Sequence, residues 1–204
     1  MNRTIRAVAV LAVLLAAAPA ESLLAQSRKK KAAVRKPAPV SLDANTVNDP
    51  ATTPIVKRGS AGSGVLRAQV LLDRARFSPG EIDAAFGGNV EKAIIGFQKA
   101  RGVEPTGVVD AATWKLLNAD TAPVLGRYAI TEDDVAGPFQ PIPEDMMEKS
   151  KLPALGFSTA LEALGERFHT SQKLLTRLNP GSTFSRAGEE VLAPNVRSSA
   201  PPKV

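Results

Sequence analysis

The spacing of apolar residues changes at Val65, and this change constrains the fold more than any other feature of the sequence. From Val65 onward apolar side chains recur every three to four residues, which places them on one face of an α-helix. The first such stripe runs from Val65 to Ala75, and the turn residues at 78–80 end it. The spacing therefore predicts that a helical domain begins at residue 64.

Two further helices are predicted from capping residues and apolar stripes. Asn89 is the predicted N-cap of the second helix, which ends before Gly102, a residue suited to the left-handed position after a helix. Asp110 is the predicted N-cap of the third helix, which turns Trp114 inward. These signals predict a three-helix domain over residues 64–120.

The first 20 residues have the organisation of an export signal. Arg3 and Arg6 supply the charged start, and the apolar run over 7–18 is shorter than the roughly 20 residues that span a bilayer. Residues 18–20 form an A-x-A cleavage site. The sequence thus predicts a signal peptide over 1–20 and a periplasmic or cell-wall location, with no membrane span after cleavage. An uncleaved anchor is the alternative.

Residues 21–63 are predicted to be a disordered, basic, Pro-rich linker, because they offer little apolar surface for burial. The net charge of +6 is concentrated in this part of the chain. Residues 21–64 hold eight Lys or Arg against three acids, whereas residues 65–204 hold sixteen against seventeen. Because the predicted folded part is nearly neutral, no nucleic-acid partner is predicted.

A second, small α+β module is predicted over residues 127–196. Aromatic residues are scarce in the chain, with seven Phe, one Tyr and one Trp, so cores must be built mainly from aliphatic side chains. The predicted fold class is therefore mainly α, with a three-helix domain, this α+β module and a disordered N-terminal segment. The predicted order in the module is a strand at 128–130, an insertion at 132–157, a helix around 161–168, a helix capped by Ser171, a strand at 190–194 and a tail at 197–204.

No catalytic residue, metal site or cofactor is predicted. The sequence contains no cysteine and one histidine, His169, which excludes a thiol nucleophile and a Cys/His zinc site within the chain. The acidic run at 132–134 has two interpretations, a carboxylate pair for glycan hydrolysis or a solvated loop, and the second is favoured. Met146-Met147 is interpreted as packing for the insertion, with a partner surface as the alternative.

A family resemblance is carried by residues between 65 and 118, namely Gln69, Leu72, the 82–87 turn, Ala93, Ile94, Phe97, Gln98, Gly107, Asp110, Thr113, Trp114 and Leu117. On these residues, 65–118 resemble the peptidoglycan-binding domain 1 family. The resemblance implies a three-helix fold that binds bacterial cell-wall peptidoglycan. Where the family usually has Thr at the start of the second helix this chain has Asn89, which caps equally well.

The turn before the second helix holds the candidate binding residues of this domain. Two adjacent glycines there let backbone N–H groups approach a ligand closely, and the alternative is that they only shape the turn. Trp114 is interpreted as a core aromatic, with sugar stacking as the alternative. The candidates are Asp83, Phe86, Gly87, Gly88 and Asn89.

A second resemblance is carried by Leu161, Leu164, Phe168, Ser171, the 178–180 exit and the 191–194 strand. On these residues, 128–194 resemble a LysM-type module, a strand–helix–helix–strand fold that binds glycans containing N-acetylglucosamine. It implies that Asn179, Pro180 and Gly181 line a glycan groove; alternatively Asn179 only caps the preceding helix. The chain departs from the family by the insertion at 132–157 and by Ser158-Thr159-Ala160 in place of Gly-Asp-Thr.

The order of these segments resembles the N-terminal region of exported L,D-transpeptidases without their catalytic domain. Three functions follow as hypotheses. The first is non-catalytic binding of peptidoglycan, through its glycan strand or its stem peptides, by an exported envelope protein. The second is the targeting half of a truncated or split transpeptidase. The third is a scaffold whose partners are other envelope proteins.

Overall fold

The structure, a computed structural model, describes residues 42–150 and 156–196. The predicted signal peptide, the start of the predicted linker and the predicted tail lie outside the described residues. The protein is mainly helical, as predicted. In chain order the elements are α1 (Ala44–Asn48), α2 (Ser63–Arg74), α3 (Gly88–Ala100), α4 (Ala111–Leu117), β1 (Leu125–Ala129), α5 (Glu132–Ala136), α6 (Met146–Lys149), α7 (Ala160–Arg167), α8 (Gln172–Leu178) and β2 (Glu190–Pro194).

Side-chain caps set the starts of several helices. Asp110 accepts a hydrogen bond from the backbone N–H of Thr113, and Ser171 accepts one from Leu174, so both predicted caps are confirmed. The predicted cap at Asn89 is wrong. Helix α3 begins two residues earlier, with Gly87 as its N-cap and no capping side chain. The earlier start places Val90 in the first turn, where it is buried.

The prediction that residues 42–63 belong to a disordered linker is wrong. Helix α1 lies in this segment, and the side chains of Val47 and Val56 are completely or almost completely buried in the core. Val56 forms an antiparallel bridge with Val109, and the indole N–H of Trp114 donates to the carbonyl oxygen of Pro54 at 2.7 Å. Few apolar residues are needed here because each of them enters a core that α2 and α4 already form.

The second part of the chain has the predicted order of strand, insertion, helix, helix and strand. Strands β1 and β2 pair in antiparallel fashion, with Leu125 opposite Pro194 and Ala129 opposite Glu190. Helices α7 and α8 cover this two-stranded sheet. Their shared core contains Ile130, Leu164, Leu175, Phe184, Val191 and Ala193.

The two parts share side chains and hydrogen bonds. Leu174 and Leu178 of α8 belong to the hydrophobic core that helices α1 to α4 form. The backbone of Ile82 forms a parallel bridge with Thr170: the N–H of Ile82 donates to the carbonyl of His169 at 2.8 Å, and its carbonyl accepts from Ser171 at 3.0 Å. The two modules that the sequence predicted are therefore joined by direct contacts.

The described part of the insertion, residues 132–150 and 156–157, contains two short helices. The acidic run forms α5, which Thr131 and Asp134 enclose in a capping box. The interpretation of this run as a solvated loop is wrong for Asp134, because its carboxylate is buried. Further along, α6 confirms the helical turn predicted near residues 144–149. Met146 and Met147 on α6 are 74% and 71% exposed, so they do not pack the insertion as expected.

Candidate functional site

The turn between α2 and α3 is held by one buried side chain, that of Gln69. Its amide oxygen accepts from the N–H of Ala84 at 2.9 Å, and its amide nitrogen donates to the carboxylate of Asp83 at 2.9 Å. Ala84 has a φ of 63°, a left-handed conformation that a non-glycine residue adopts only when its surroundings stabilise it. Gln69 is 1% exposed. It therefore fixes the turn that leads into α3.

A groove of about 320 Å³ lies between this turn and the start of α3, and we call it the α3 groove. The first N–H groups of a helix have no partners within it, and Gly87 brings no capping oxygen. The groove thus exposes backbone donors at the positive end of a 13-residue helix. It is lined by Gln69, Pro79, Glu81, Asp83, Ala85, Gly87, Gly88, Asn89, Val90 and Lys92.

The open space and the backbone donors at the start of α3 suit a ligand with a negative group. A Cβ atom added at Gly87 or Gly88 would meet no atom within 4 Å, so both glycines border open space. Lys92 is exposed on the groove. Glu91, in the same turn, instead forms an ion pair with Arg58 at 2.6 Å. A positive side chain and the helix N-terminus thus lie on the same groove.

Four of the five candidates predicted in the first domain line the α3 groove, namely Asp83, Gly87, Gly88 and Asn89. Phe86 does not: its side chain is half-buried against the core. The side chain of Asn89 lies over Gly80, where an added Cβ would come within 3.0 Å of the Asn89 amide nitrogen. Asn89 is thus a wall of the groove rather than a helix cap.

The candidates predicted in the second part lie at the exit of α8. The Asn179 amide nitrogen donates to the carbonyls of Leu175 and Leu192, at 3.0 and 2.8 Å. Its amide oxygen accepts from the N–H of Leu192 at 2.6 Å. This geometry favours the structural alternative, in which Asn179 ties α8 to β2. Pro180 and Gly181 are exposed beside it.

A larger cavity, which the sequence did not predict, lies between the insertion and α7. Its volume is about 960 Å³, and we call it the insertion cavity. Its lining residues are Tyr128, Asp133, Asp134, Gly137, Pro138, Phe139, Gln140, Pro141, Ile142, Gly156, Phe157, Ala163, Glu166, Arg167, Phe168, His169 and Val196. The only sequence signal for it was the departure from LysM-type spacing at 132–157.

Asp134 organises one wall of the insertion cavity. It accepts hydrogen bonds from the Tyr128 hydroxyl at 2.6 Å and the Thr131 hydroxyl at 2.8 Å, and it pairs with Arg167 at 3.0 Å. Burial acts to raise the pKa of Asp134, but these hydrogen bonds and the Arg167 charge outweigh it and hold the pKa below its ordinary value. Burial, with the bond to Asp134, raises the pKa of Tyr128. Asp134 is therefore an ionised structural group.

Trp114 and His169, two other candidates from the sequence, make structural contacts within the fold. Trp114 is 1% exposed, which confirms that it is a core aromatic. His169 follows the C-cap of α7, and its Nδ1 lies 3.1 Å from a carboxylate oxygen of Asp73 on α2. The sequence did not predict this contact between the two parts.

Two kinds of feature are absent from the described ranges, 42–150 and 156–196. No group of three or more His, Cys, Asp or Glu side chains is placed to hold a metal ion there. None of the helices in these ranges has the length and hydrophobicity needed to cross a membrane.

Comparison with known proteins bears on the first part of the chain. Residues 61–117 match the family described as "Putative peptidoglycan binding domain", which confirms the resemblance predicted for residues 65–118. A peptidoglycan-binding protein from Clostridioides difficile, solved in complex with glutamine hydroxamate, is 32% identical over 35% of this chain and 44% of that chain, with a TM-score of 0.33. The SleB N-terminal domain is 28% identical over 34% of this chain and 96% of that domain, with a TM-score of 0.33. This chain thus spans less than half the length of the first of these proteins.

Proposed function

We propose that this chain is a non-catalytic, exported protein of the bacterial envelope that binds peptidoglycan. One observation carries the proposal. The residues that match a peptidoglycan-binding family, 61–117, are those that form an open groove at the uncapped start of α3. The export signal predicted over 1–20 supports a periplasmic or cell-wall location. The absence of any cysteine from the sequence supports binding without thiol chemistry.

The α3 groove suits a stem peptide better than a bare glycan strand. Stem peptides carry carboxylates, which the exposed N–H groups and the positive end of α3 would stabilise. Lys92, which also lines the groove, adds a positive charge. Asp83 and Glu81 in the same lining offer acceptors for the amide and amino groups of a peptide. One groove can therefore bind both kinds of polar group that a stem peptide presents.

A pull-down with insoluble, purified peptidoglycan sacculi at low salt tests the proposal. We expect the wild-type protein to sediment with the sacculi. Lys92→Glu reverses a charge on the groove and should weaken binding about fivefold, as a surface charge change of about 1 kcal/mol would. Lys99→Glu is the matched control, since Lys99 is exposed on the same helix but does not line the α3 groove. Wild-type protein that stays in the supernatant would rule out the function.

The same assay addresses the other two hypotheses. A scaffold for envelope proteins would leave sacculi unbound, while retaining its partners in a cross-linking experiment on intact cells. The targeting half of a split transpeptidase would bind sacculi and would also be encoded next to a catalytic domain with a His and a Cys. The LysM-type assignment of residues 127–196 stays part of the proposal, supported by the observed order of strand, insertion, helix, helix and strand.

A further inference from the structure

The insertion cavity concentrates the aromatic residues of an aromatic-poor chain. Four of the nine aromatic residues in the sequence line it, namely Tyr128, Phe139, Phe157 and Phe168. Phe157 is 40% exposed, so a large part of this apolar residue remains open to solvent. The cavity therefore offers apolar ring surface to a segment that enters it.

The aromatic wall is held in place by contacts within the fold. The Tyr128 and Phe168 rings meet edge to face at 5.1 Å between centroids. The Arg167 guanidinium lies 5.6 Å from the centroid of the Tyr128 ring while it pairs with Asp134. The Tyr128 hydroxyl also donates to Asp134. A prearranged aromatic surface binds a partner without a large loss of side-chain entropy.

Among the Asp, Glu, Lys and Arg side chains of the described lining, those without an opposite partner are negative. Asp133 and Glu166 are exposed carboxylates. Arg167 also lines the cavity, but the carboxylate of Asp134 lies 3.0 Å away and offsets its charge. Aromatic surface beside free carboxylates suits a segment that contains both proline and basic residues. Proline-rich segments dock on aromatic-lined grooves, and the basic groups are attracted to the acids.

A segment with this composition follows directly from the cavity in the same chain. Val196, the last described residue, lies in the cavity lining. The next residues along the sequence, 197–203, contain two basic residues and two prolines and no acidic residue. The charge of this segment is therefore opposite to that of the free carboxylates in the lining.

The length of this segment is sufficient for it to cross the cavity. At about 3.1 Å per residue in an extended Pro-rich segment, Pro201 can reach roughly 16 Å from Val196. That distance exceeds the edge of a cube with the volume of the cavity, about 960 Å³. Pro201, Pro202 and Lys203 can therefore all contact the lining.

We infer that the insertion cavity is an intramolecular docking site for residues 197–203 of this chain. Pro201 and Pro202 pack on the aromatic wall, and Lys203 meets the carboxylates of the rim. Because the segment is attached to the lining at Val196, its effective concentration at the cavity is on the order of millimolar, and a weak contact is enough to keep it bound. The inference does not rest on the proposed function, since the α3 groove is a separate site.

Docking of this segment controls access to the cavity. An external ligand must displace residues 197–203 before it contacts the aromatic wall. Its apparent affinity is then reduced by the fraction of molecules in which the cavity is open. The insertion at 132–157, which departs from the LysM-type pattern, thus builds a site that the chain itself occupies.

Two-dimensional ¹⁵N NMR spectra of the full chain test this docking. A triple variant, called the tail variant, carries Pro201→Gly, Pro202→Gly and Lys203→Glu, which removes both proline rings and reverses the basic charge. We expect the backbone amide signals of the cavity lining, including that of Phe157, to shift between the wild type and the tail variant. Lys173→Glu is the matched control, because it reverses an exposed positive charge outside the cavity lining and should leave these signals in place.

A synthetic peptide with the sequence of residues 197–204, blocked at both ends, gives a second measurement. It should bind the tail variant saturably and return the lining signals to their wild-type positions. The wild type should bind it about fivefold more weakly, because its cavity is already occupied. Phe157→Ala, added to the tail variant, should weaken peptide binding severalfold, since one ring of the wall is lost. Ile55→Ala is the control for that change, as Ile55 is 64% exposed and outside the lining.

Several outcomes overturn the inference. One is a tail variant whose lining signals stay at their wild-type positions, and another is equal binding of the peptide by the wild type and the tail variant. A soluble oligosaccharide that shifts the lining signals of the tail variant while the peptide does not would identify a different occupant. Wild-type lining signals that move on dilution would place the segment in the cavity of a second copy, against docking within one chain. None of these outcomes depends on sacculus binding, so the proposed function is tested separately.

Discussion

The hydroxyl of Thr170 donates a hydrogen bond to the carbonyl oxygen of Ile82 at 2.7 Å, across a separation of 88 residues. Thr170 is 3% exposed, and Ile82 is completely buried. The same carbonyl accepts from the N–H of Ser171. This contact joins the turn that precedes α3 to the segment between α7 and α8. The α3 groove and the insertion cavity are therefore held in a fixed position relative to each other.

Replacing Thr170 by Val should weaken the joint. Valine keeps the shape but loses the donor, while Ser171 still satisfies the Ile82 carbonyl, so the free energy of unfolding should fall by about 1 kcal/mol. Urea denaturation measures the change. Thr176→Val is the control, because Thr176 also donates to a backbone carbonyl but is exposed, and it should change stability less. Equal effects of the two variants would contradict a buried joint.

The segment 42–62 should be required for stability of the three-helix part. Val56→Ala should lower the free energy of unfolding by about 2 kcal/mol, because Val56 is 1% exposed and its side chain is lost from the core. Ile55→Ala, at the adjacent and 64% exposed position, should have little effect. A fragment that begins at Gly64 should be still less stable. Thermal unfolding followed by circular dichroism compares them, and a fully stable fragment would contradict the fold.

The substitution Gly87→Asp should raise the stability of the protein and lower its binding to sacculi. An aspartate at the N-cap of α3 accepts hydrogen bonds from the first turn and should stabilise the protein by about 0.5 kcal/mol. The same carboxylate occupies the donors that a stem peptide would use, so sacculus binding should fall roughly fivefold. Gly87→Ala controls for size, since the backbone there has a φ of −107° that any residue can adopt. Unchanged binding of Gly87→Asp would exclude the helix start as the contact.

Asp134→Asn should destabilise the second part by about 2 kcal/mol at neutral pH, because a charged acceptor of several hydrogen bonds is lost. The pKa of Asp134 is lowered in the folded protein, so its contribution is complete above the ordinary value of 3.8 and is lost as the pH falls through the lower folded value. The wild type should thus lose stability more steeply than the variant below about pH 4. Denaturant melts across this range measure the difference. Asp133→Asn changes an exposed neighbouring residue, and its stability should depend on pH in the same way as that of the wild type.

Local signals predicted much of the helical structure correctly. Asp110 and Ser171 were identified as caps because a cap is a bond between residues two or three apart. Strand β2 was predicted at its observed bounds, 190–194. The prediction at Asn89 was wrong for the same reason: Asn is a good capping residue, but Val90 is buried in the first turn and the N-cap is Gly87, two residues earlier. The residue types alone could not decide which of several neighbouring residues is the N-cap of the helix.

By itself the sequence determined the positions of the main helices, the strand order of the second part and the family to which residues 61–117 are similar. All of these depend on spacing over a few residues. Only the tertiary structure decided that Val56 pairs with Val109, that Ile82 meets Thr170, and that Phe157 and Phe168 line one cavity. Each of these contacts joins residues distant along the chain. Its free energy comes from burial and hydrogen bonding that exist only once the separate elements have packed together.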